Sequence, residues 1–240
     1  MRALVVSDIH ANLAALEAVL AAAPSVDEVW HLGDVVGYGP EPDAVVAQLR
    51  DVGAIGVRGN HDAAAVGGLE IEAFNADARA AMEWTRGVIS DTTRAWLGTL
   101  PETLQREGFT LVHGSPRDPV WEYVTSTPVA RAALADLATP HGLHGHTHVP
   151  MAFLEDDGVV DTMSPGSGSI LELGGRRTFL NPGSVGQPRD GIPTAAWMVV
   201  DTALATVTWH RTAYDVAGVQ DAMRALGLPH RLVERLSYGL

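Results

Sequence analysis

An α/β protein with two packed sheets and helices outside is the fold class this sequence predicts, and three observations predict it. The first sixty residues alternate short Val-rich runs with helical patterns. That βαβαβ rhythm argues for buried, largely parallel strands. After His148 the runs are joined by Asp-Gly and Gly-Gly, which signal antiparallel hairpins. Between the two lies an Ala-rich stretch of helical character. With 240 residues, 46% of them hydrophobic, the chain is long enough to bury a sizeable core. No repeat and no linker-like composition divides it, so residues 1–240 are expected to form a single domain.

Each element has its own signal. Residues 3–6 are a first strand that ends at Ser7-Asp8. Asn12 then caps a helix whose apolar side carries Leu13, Leu16, Val19 and Leu20. Residues 26–32 form a second strand ending at Gly33-Asp34, and residues 43–52 a second helix. Residues 54–57 form a third strand ending at Arg58-Gly59-Asn60. Residues 70–100 are helical, with Trp84 and Trp96 as packing residues. Residues 109–112 make a strand ending at His113, and 128–137 a helix with Pro128 in its first turn. Residues 142–144 run as a short strand into Gly145. Residues 151–154 and 159–162 flank Asp156-Asp157-Gly158, and residues 169–173 and 178–180 flank Gly174-Gly175; each is a hairpin signal. Residues 195–200 and 206–211 add a third antiparallel pair, and residues 215–226 and 229–236 are closing helices.

Composition excludes several classes of function. The formal charge is −13 and no Lys/Arg run occurs, which argues against binding nucleic-acid duplexes. All sixteen cations are Arg; composition drift in a GC-rich genome accounts for that. The absence of Cys removes disulfides, thiolate metal sites and a cysteine nucleophile. The N-terminal apolar run is too short for a signal peptide. No apolar stretch reaches the roughly 18 residues of a membrane span. A cytoplasmic protein is expected.

Five short segments end in metal-ligand residues: Asp8-Ile9-His10, Gly33-Asp34, Gly59-Asn60-His61-Asp62, His113-Gly114 and Gly145-His146-Thr147-His148. Each follows a predicted strand, at the edge where open α/β sheets bind ligands. Asp8/His10 and His146/His148 are spaced i, i+2, which on a strand puts both side chains on one face. Gly33, Gly59 and Gly145 each place a residue without a Cβ before a ligand, allowing close backbone approach. Carboxylate, carboxamide and imidazole together suit Mn²⁺, Fe or Zn²⁺, and two such ions about 3.5–4 Å apart can clamp a phosphoryl group and activate water. Any one of these segments alone reads as a turn or a surface pair; their joint occurrence at strand ends carries the argument. Of the other histidines, His31 is expected to pack in its strand, and His141, His144, His210 and His230 to be surface or capping residues.

The order of these five blocks resembles the calcineurin-like metallophosphoesterase superfamily over roughly the first 190 residues. Asn181-Pro182-Gly183-Ser184-Val185-Gly186 is similar to the block that follows in its small bacterial and archaeal phosphodiesterases. Gly37-Tyr38-Gly39-Pro40 and His113-Gly114-Ser115-Pro116-Arg117 narrow the resemblance to that group. Ala11 stands where Gly is usual. The resemblance implies a four-layer α/β/β/α sandwich of two mixed sheets, with a dinuclear site between the sheet ends. It implies that Asp8, His10, Asp34 and His148 hold one divalent ion, and Asp34, Asn60, His113 and His146 the other, with Asp34 as bridge. Mn²⁺ is the foremost candidate, with Fe, Zn²⁺, Ni²⁺ and Mg²⁺ as alternatives. It implies His61 as the catalytic residue beside the leaving group and Asp62 as the carboxylate that orients it, although Asp62 also reads as a cap of the next helix.

The expected activity is phosphoester hydrolysis by a hydroxide bridging the ions, with small nucleotides such as cyclic nucleotides or dinucleoside polyphosphates as substrates. A protein serine/threonine phosphatase is the alternative, and a non-catalytic metal-binding scaffold is the alternative of another class. For substrate contact two readings stand at each of four positions. Asn12 contacts phosphate or caps a helix; Tyr38 stacks on a base or packs beneath a turn; Arg117 and Arg189 neutralise phosphate or are solvated. The oligomeric state is open.

Overall fold

In the computed structural model, which describes residues 1–240, the first strand β1 (Arg2–Val6) is buried on both faces. Ala3 and Val5 enter one core and Leu4 and Val6 another. A strand apolar on both sides must be covered on both sides, and the rest of the chain supplies the two covers.

β1 pairs in parallel with β2 (Glu28–His31), and β2 in parallel with β3 (Ile55–Gly56). On its other side β1 pairs antiparallel with β11 (Ala195–Asp201), so that Leu4 faces Val199. β11 continues antiparallel to β12 (Thr206–Thr212) and β12 to β9 (Ile170–Glu172), completing a six-stranded sheet. The second sheet also has six strands, in the order β4 (Thr103–Arg106), β5 (Phe109–Val112), β6 (His141–Leu143), β10 (Arg177–Asn181), β7 (Met151–Asp156) and β8 (Val159–Met163). Its β5, β6 and β10 run parallel; the outer pairs are antiparallel. The sheets stack over a shared core in which Val5, Trp30 and Met198 of the first meet Phe109, Leu111 and Leu143 of the second.

Helices cover the outer faces, giving a four-layer α/β/β/α sandwich. Over the first sheet lie α1 (Leu13–Ala22), α2 (Pro42–Asp51), α4 (Ala76–Val88), α5 (Asp91–Thr99), α7 (Val216–Ala225) and α8 (His230–Arg235). Over the second lies α6 (Thr127–Asp136), whose Ala130, Ala133 and Leu134 pack on Phe153 and Phe179. The short α3 (Asn60–Ala65) is buried throughout. Asn12 Oδ1 accepts the Ala15 amide at 3.1 Å, which starts α1 where the sequence places it. No helix is long and apolar enough to cross a membrane.

One local expectation differs, and one strand lies where none was assigned. Gly174-Gly175 does not close a hairpin: β9 belongs to the first sheet and β10 to the second. The segment crosses between sheets because Leu171 and Leu173 on one side and Leu180 on the other all enter the inter-sheet core. A Gly-Gly turn permits either route, and burial selects this one. Strand β4, which carries no strong apolar signal, is recruited by β5 across a turn with Glu107 and Gly108 at positive φ.

Candidate metal centre

The ligand residues all lie just past the C-terminal ends of parallel strands. Asp8 and His10 follow β1, Asp34 follows β2, Asn60 opens α3 after β3, His113 follows β5, and His146 and His148 follow β6. The means of convergence differs from the expected strand alternation. Asp8, His10, Asp34, His146 and His148 have φ of 50–64°, in the left-handed region. Side chains rarely adopt it, at a cost of roughly 1–3 kcal/mol each. Ala11, at φ 52°, carries the same conformation with a Cβ that glycine would lack.

Backbone bonds hold these turns. Asp8 N donates to Gly33 O at 3.1 Å, His10 N to Asp34 O at 2.9 Å, and Gly186 N to Asp8 O at 3.0 Å. The close approach foreseen at Gly59 is present: a Cβ there would collide with Asp34 Oδ1.

The donor atoms fall into two groups, Asp8/His10/Asp34/His148 and Asp34/His113/His146, each within 4.8 Å and buried. Asn60 Oδ1 joins the second, 3.1 Å from His113 Nε2. Asp34 divides its two oxygens. Oδ1 accepts the His61 amide at 2.9 Å; Oδ2 lies 3.6 Å from His10 Nε2 and 3.4 Å from His113 Nε2, between the groups.

The ring orientations test whether cations fit. His10 Nδ1 faces Val36 O at 3.2 Å and His148 Nδ1 faces Gln187 O at 2.6 Å. A carbonyl only accepts, so both protons belong on Nδ1 and both Nε2 atoms present lone pairs. Those lone pairs face each other at 3.2 Å. Two lone pairs at that distance repel, and a cation shared with Asp8 and Asp34 removes the conflict. Likewise His113 Nδ1 donates to Leu32 O at 2.8 Å, aiming Nε2 at His146 Nδ1, 3.0 Å away. Imidazoles fixed by a second hydrogen bond are the usual arrangement for metal ligands. The donor set fits two divalent ions.

Titration behaviour reports the same crowding. Burial pulls His113 down, but Asp34 and Asp8 hold its charged form and lift it to about 9. In the metal-free protein a proton on His113 thus takes a role that a cation would fill. Burial, with the charge of Asp34, pushes Asp8 up to about 7. Burial sends His10, His146 and His148 well below the usual histidine range.

A model of the calcineurin-like phosphoesterase superfamily domain matches residues 1–203. The chain belongs to this superfamily. It is similar to a metallophosphoesterase from Sphaerobacter thermophilus of known structure, at 43% identity and a TM-score of 0.92, over 100% of this chain and 99% of that one. A hypothetical protein of Pyrococcus horikoshii shares the fold at TM-score 0.78 and 20% identity, over 100% and 98% of the two chains. An uncharacterized protein of Methanocaldococcus jannaschii is 33% identical across 98% of this chain and 97% of its own length.

In this superfamily member a cavity of about 320 Å³ opens over the ligands, and the remaining predicted residues divide around it. His61 lines it. The ring is packed by Tyr38, His10 and Phe74, and Nδ1 lies 3.1 Å from Met82 Sδ, which leaves Nε2 for the cavity. Asp62 does not reach that imidazole. Its carboxylate accepts the amides of Val35 (2.9 Å), Val36 (3.1 Å) and Gly59 (3.0 Å), tying the Asp34 turn to the start of α3. The capping alternative describes it, because three convergent N–H donors outcompete one side chain.

Tyr38 and Arg189 line the cavity. Arg117 does not; it pairs with Glu122, which also takes the Ser115 hydroxyl. Asn12 is spent on the Ala15 amide and on Gly186 O.

Phe74, Trp121 and Tyr123, which sequence reasoning missed, build an aromatic wall. Phe74 and Trp121 lie 5.3 Å apart, and Tyr123 stacks on His146 at 3.8 Å. They sit in irregular segments, where no periodicity marks a side chain as site-facing. His31 is fully buried as expected. His144, expected to be a surface or capping residue, is fully buried and stacks on Phe179 at 4.3 Å. His141 and His210 are partly buried, and His230 is exposed at the start of α8.

Proposed function

We propose that the protein is a dinuclear-metal phosphodiesterase acting on phosphodiester or phosphoanhydride bonds of small nucleotides in the cytoplasm. The observation that carries this reading is Asp34 Oδ2 standing between the His10 and His113 Nε2 atoms, beneath a pocket with an aromatic wall. Asp8, His10, Asp34 and His148 would hold one ion, and Asp34, Asn60, His113 and His146 the other, with Mn²⁺ the first choice for this donor set. When bound, such ions neutralise phosphoryl charge and make water a better nucleophile.

The chain's own groups do the rest. His61 presents Nε2 where a leaving oxygen would sit; Met82 Sδ is a weak acceptor that holds the Nδ1 proton loosely, so a ring that carries its proton on Nε2 instead would donate to that oxygen. Asp62 keeps the Asp34 turn and α3 in register. Tyr38, Phe74, Trp121 and Tyr123 offer flat surfaces to a base, and Arg189 offers a cation to phosphate. The half-open cavity of about 320 Å³ has an aromatic wall that suits a base, which supports the nucleotide reading over a protein phosphatase.

The test is turnover of bis(p-nitrophenyl) phosphate, then of a panel of cyclic nucleotides, dinucleoside polyphosphates and phosphopeptides, with Mn²⁺ added and products identified. Metal-stimulated cleavage of nucleotides is expected. Cleavage of phosphopeptides alone supports the phosphatase, and no cleavage of any phosphoester supports the scaffold.

A further inference from the structure

Beside the metal pocket lies a larger cavity, about 870 Å³, whose charged lining is Asp77, Arg189, Arg231, Glu234, Arg235 and the C-terminal Leu240. The two cavities share Asn75 and Arg189, so they adjoin there. The sequence has no Arg run, yet the fold brings together Arg189, from the loop after β10, with Arg231 and Arg235 of α8.

The charge balance of this cavity is unusual for so acidic a chain. Arg231 has no hydrogen-bond or carboxylate partner. Arg189 donates Nη2 to the neutral Gln187 Oε1 at 3.1 Å and lies beside the neutral Tyr123 hydroxyl, and its buried Nε is unpaired. Arg235 donates Nε to Leu240 O, leaving both Nη groups without a protein acceptor. Of the acids present, Glu234 is taken by Arg224 at 2.9 Å, and Asp77 and the terminal carboxylate of Leu240 are left to face three guanidinium groups. Burial, with Arg189 and Arg231 close by, draws Arg235 down to about 10. Arg189 and Arg235 are half-buried and Arg231 reaches the same cavity from the surface; like charges gathered in this way repel, and an anion relieves that cost.

We propose that Arg189, Arg231 and Arg235 form an anion subsite holding a second phosphate of the substrate, remote from the phosphorus over the metal ligands. The preferred substrates are then nucleotides with a phosphate chain, rather than cyclic or simple diesters. Planar guanidinium groups suit phosphate oxygens in bidentate contact. The aromatic wall lines the metal pocket and Arg231 and Arg235 line the adjoining cavity, with Arg189 in both, so base and distal phosphate have separate recesses. This inference rests on the phosphoesterase reading of the metal pocket, and its test separates the two.

Binding of inorganic tripolyphosphate to the full-length, metal-free protein is measured by calorimetry at two salt concentrations, for wild type, R231A, R235A and the double variant. Circular dichroism confirms that each variant is folded. In parallel, KM is measured for diadenosine tetraphosphate and for bis(p-nitrophenyl) phosphate, at constant free Mn²⁺. Loss of one charged contact is expected to weaken tripolyphosphate binding about tenfold or more, and the wild-type affinity is expected to fall with salt. The ratio of the two KM values is expected to rise by a similar factor. Tripolyphosphate binding of equal strength in wild type and a folded double variant overturns the subsite. So does an equal rise in both KM values. Arginine-dependent tripolyphosphate binding with no phosphoester turnover keeps the subsite and removes the phosphoesterase reading.

Discussion

Asp62→Ala separates two roles for one carboxylate. If Asp62 oriented His61, its loss would slow turnover and leave the fold alone. The structure instead shows it accepting three buried amides, at 2.9, 3.1 and 3.0 Å. Truncation strands three N–H donors, each worth about 1–3 kcal/mol when left unsatisfied. A water entering the vacated space serves some of them, so the loss is about 3–6 kcal/mol. For a chain of this size 1 kcal/mol moves Tm by about 2–4 °C, so a fall of about 6–24 °C is expected. Asp62→Asn keeps one acceptor oxygen and is expected to lose about half as much. The assay is thermal unfolding followed by circular dichroism in chelator, with metal content and kcat measured alongside. It is run at pH 8, above the value of about 7 to which burial and Asp34 push this carboxyl. A Tm within ~2 °C of wild type together with a large fall in kcat would refute the reasoning.

His61→Ala is expected to lower turnover by about 10²- to 10⁴-fold while metal content per chain, read by elemental analysis, stays at the wild-type value. Chelation is expected to lower Tm, and Mn²⁺ at about a hundredfold excess over Kd to restore about 2.7 kcal/mol per bound ion; a Tm indifferent to every divalent cation would count against filled sites. His31 is fully buried with both ring nitrogens unpartnered, and burial draws it from 6.5 to about 4. Because the folded state resists its protonation, the stability involved is fully present above pH 6.5 and is lost as pH falls toward 4, by about 3 kcal/mol. His31→Leu is expected to flatten urea-derived stability over that window, and an unchanged slope would exclude His31 as its source.

Much of the fold was legible because local and tertiary demands agreed. Phe109–Val112 is apolar except for Thr110, short and bounded by Gly108 and His113, and it is a buried strand with those limits. Asn12 caps α1 because a short side-chain acceptor serves that amide whatever the surroundings. Gly174-Gly175 was ambiguous, since a turn signal says nothing about which sheet receives the next strand. The ligand residues could be named from their types, but their left-handed backbone could not be read from i, i+2 spacing. Glu122 took Arg117 from the pocket, a pairing visible only in three dimensions. The arginine cavity was hidden for the same reason: its members are 42 or more positions apart in one case and adjacent on a helix turn in the other.

The division of ligands between the sheets also sets when the site can exist. Asp8, His10 and Asp34 come from the first sheet's loops, and His113, His146 and His148 from the second's. A chain emerging from the ribosome owns neither full group until His146 and His148 have been made. Strand β11, which pairs with β1, follows later still. Metal capture therefore belongs to the end of biogenesis, and selection falls to a finished cage with preset ring orientations. Such a cage discriminates by geometry, which a flexible nascent chain, governed by raw affinity and so by copper, does not.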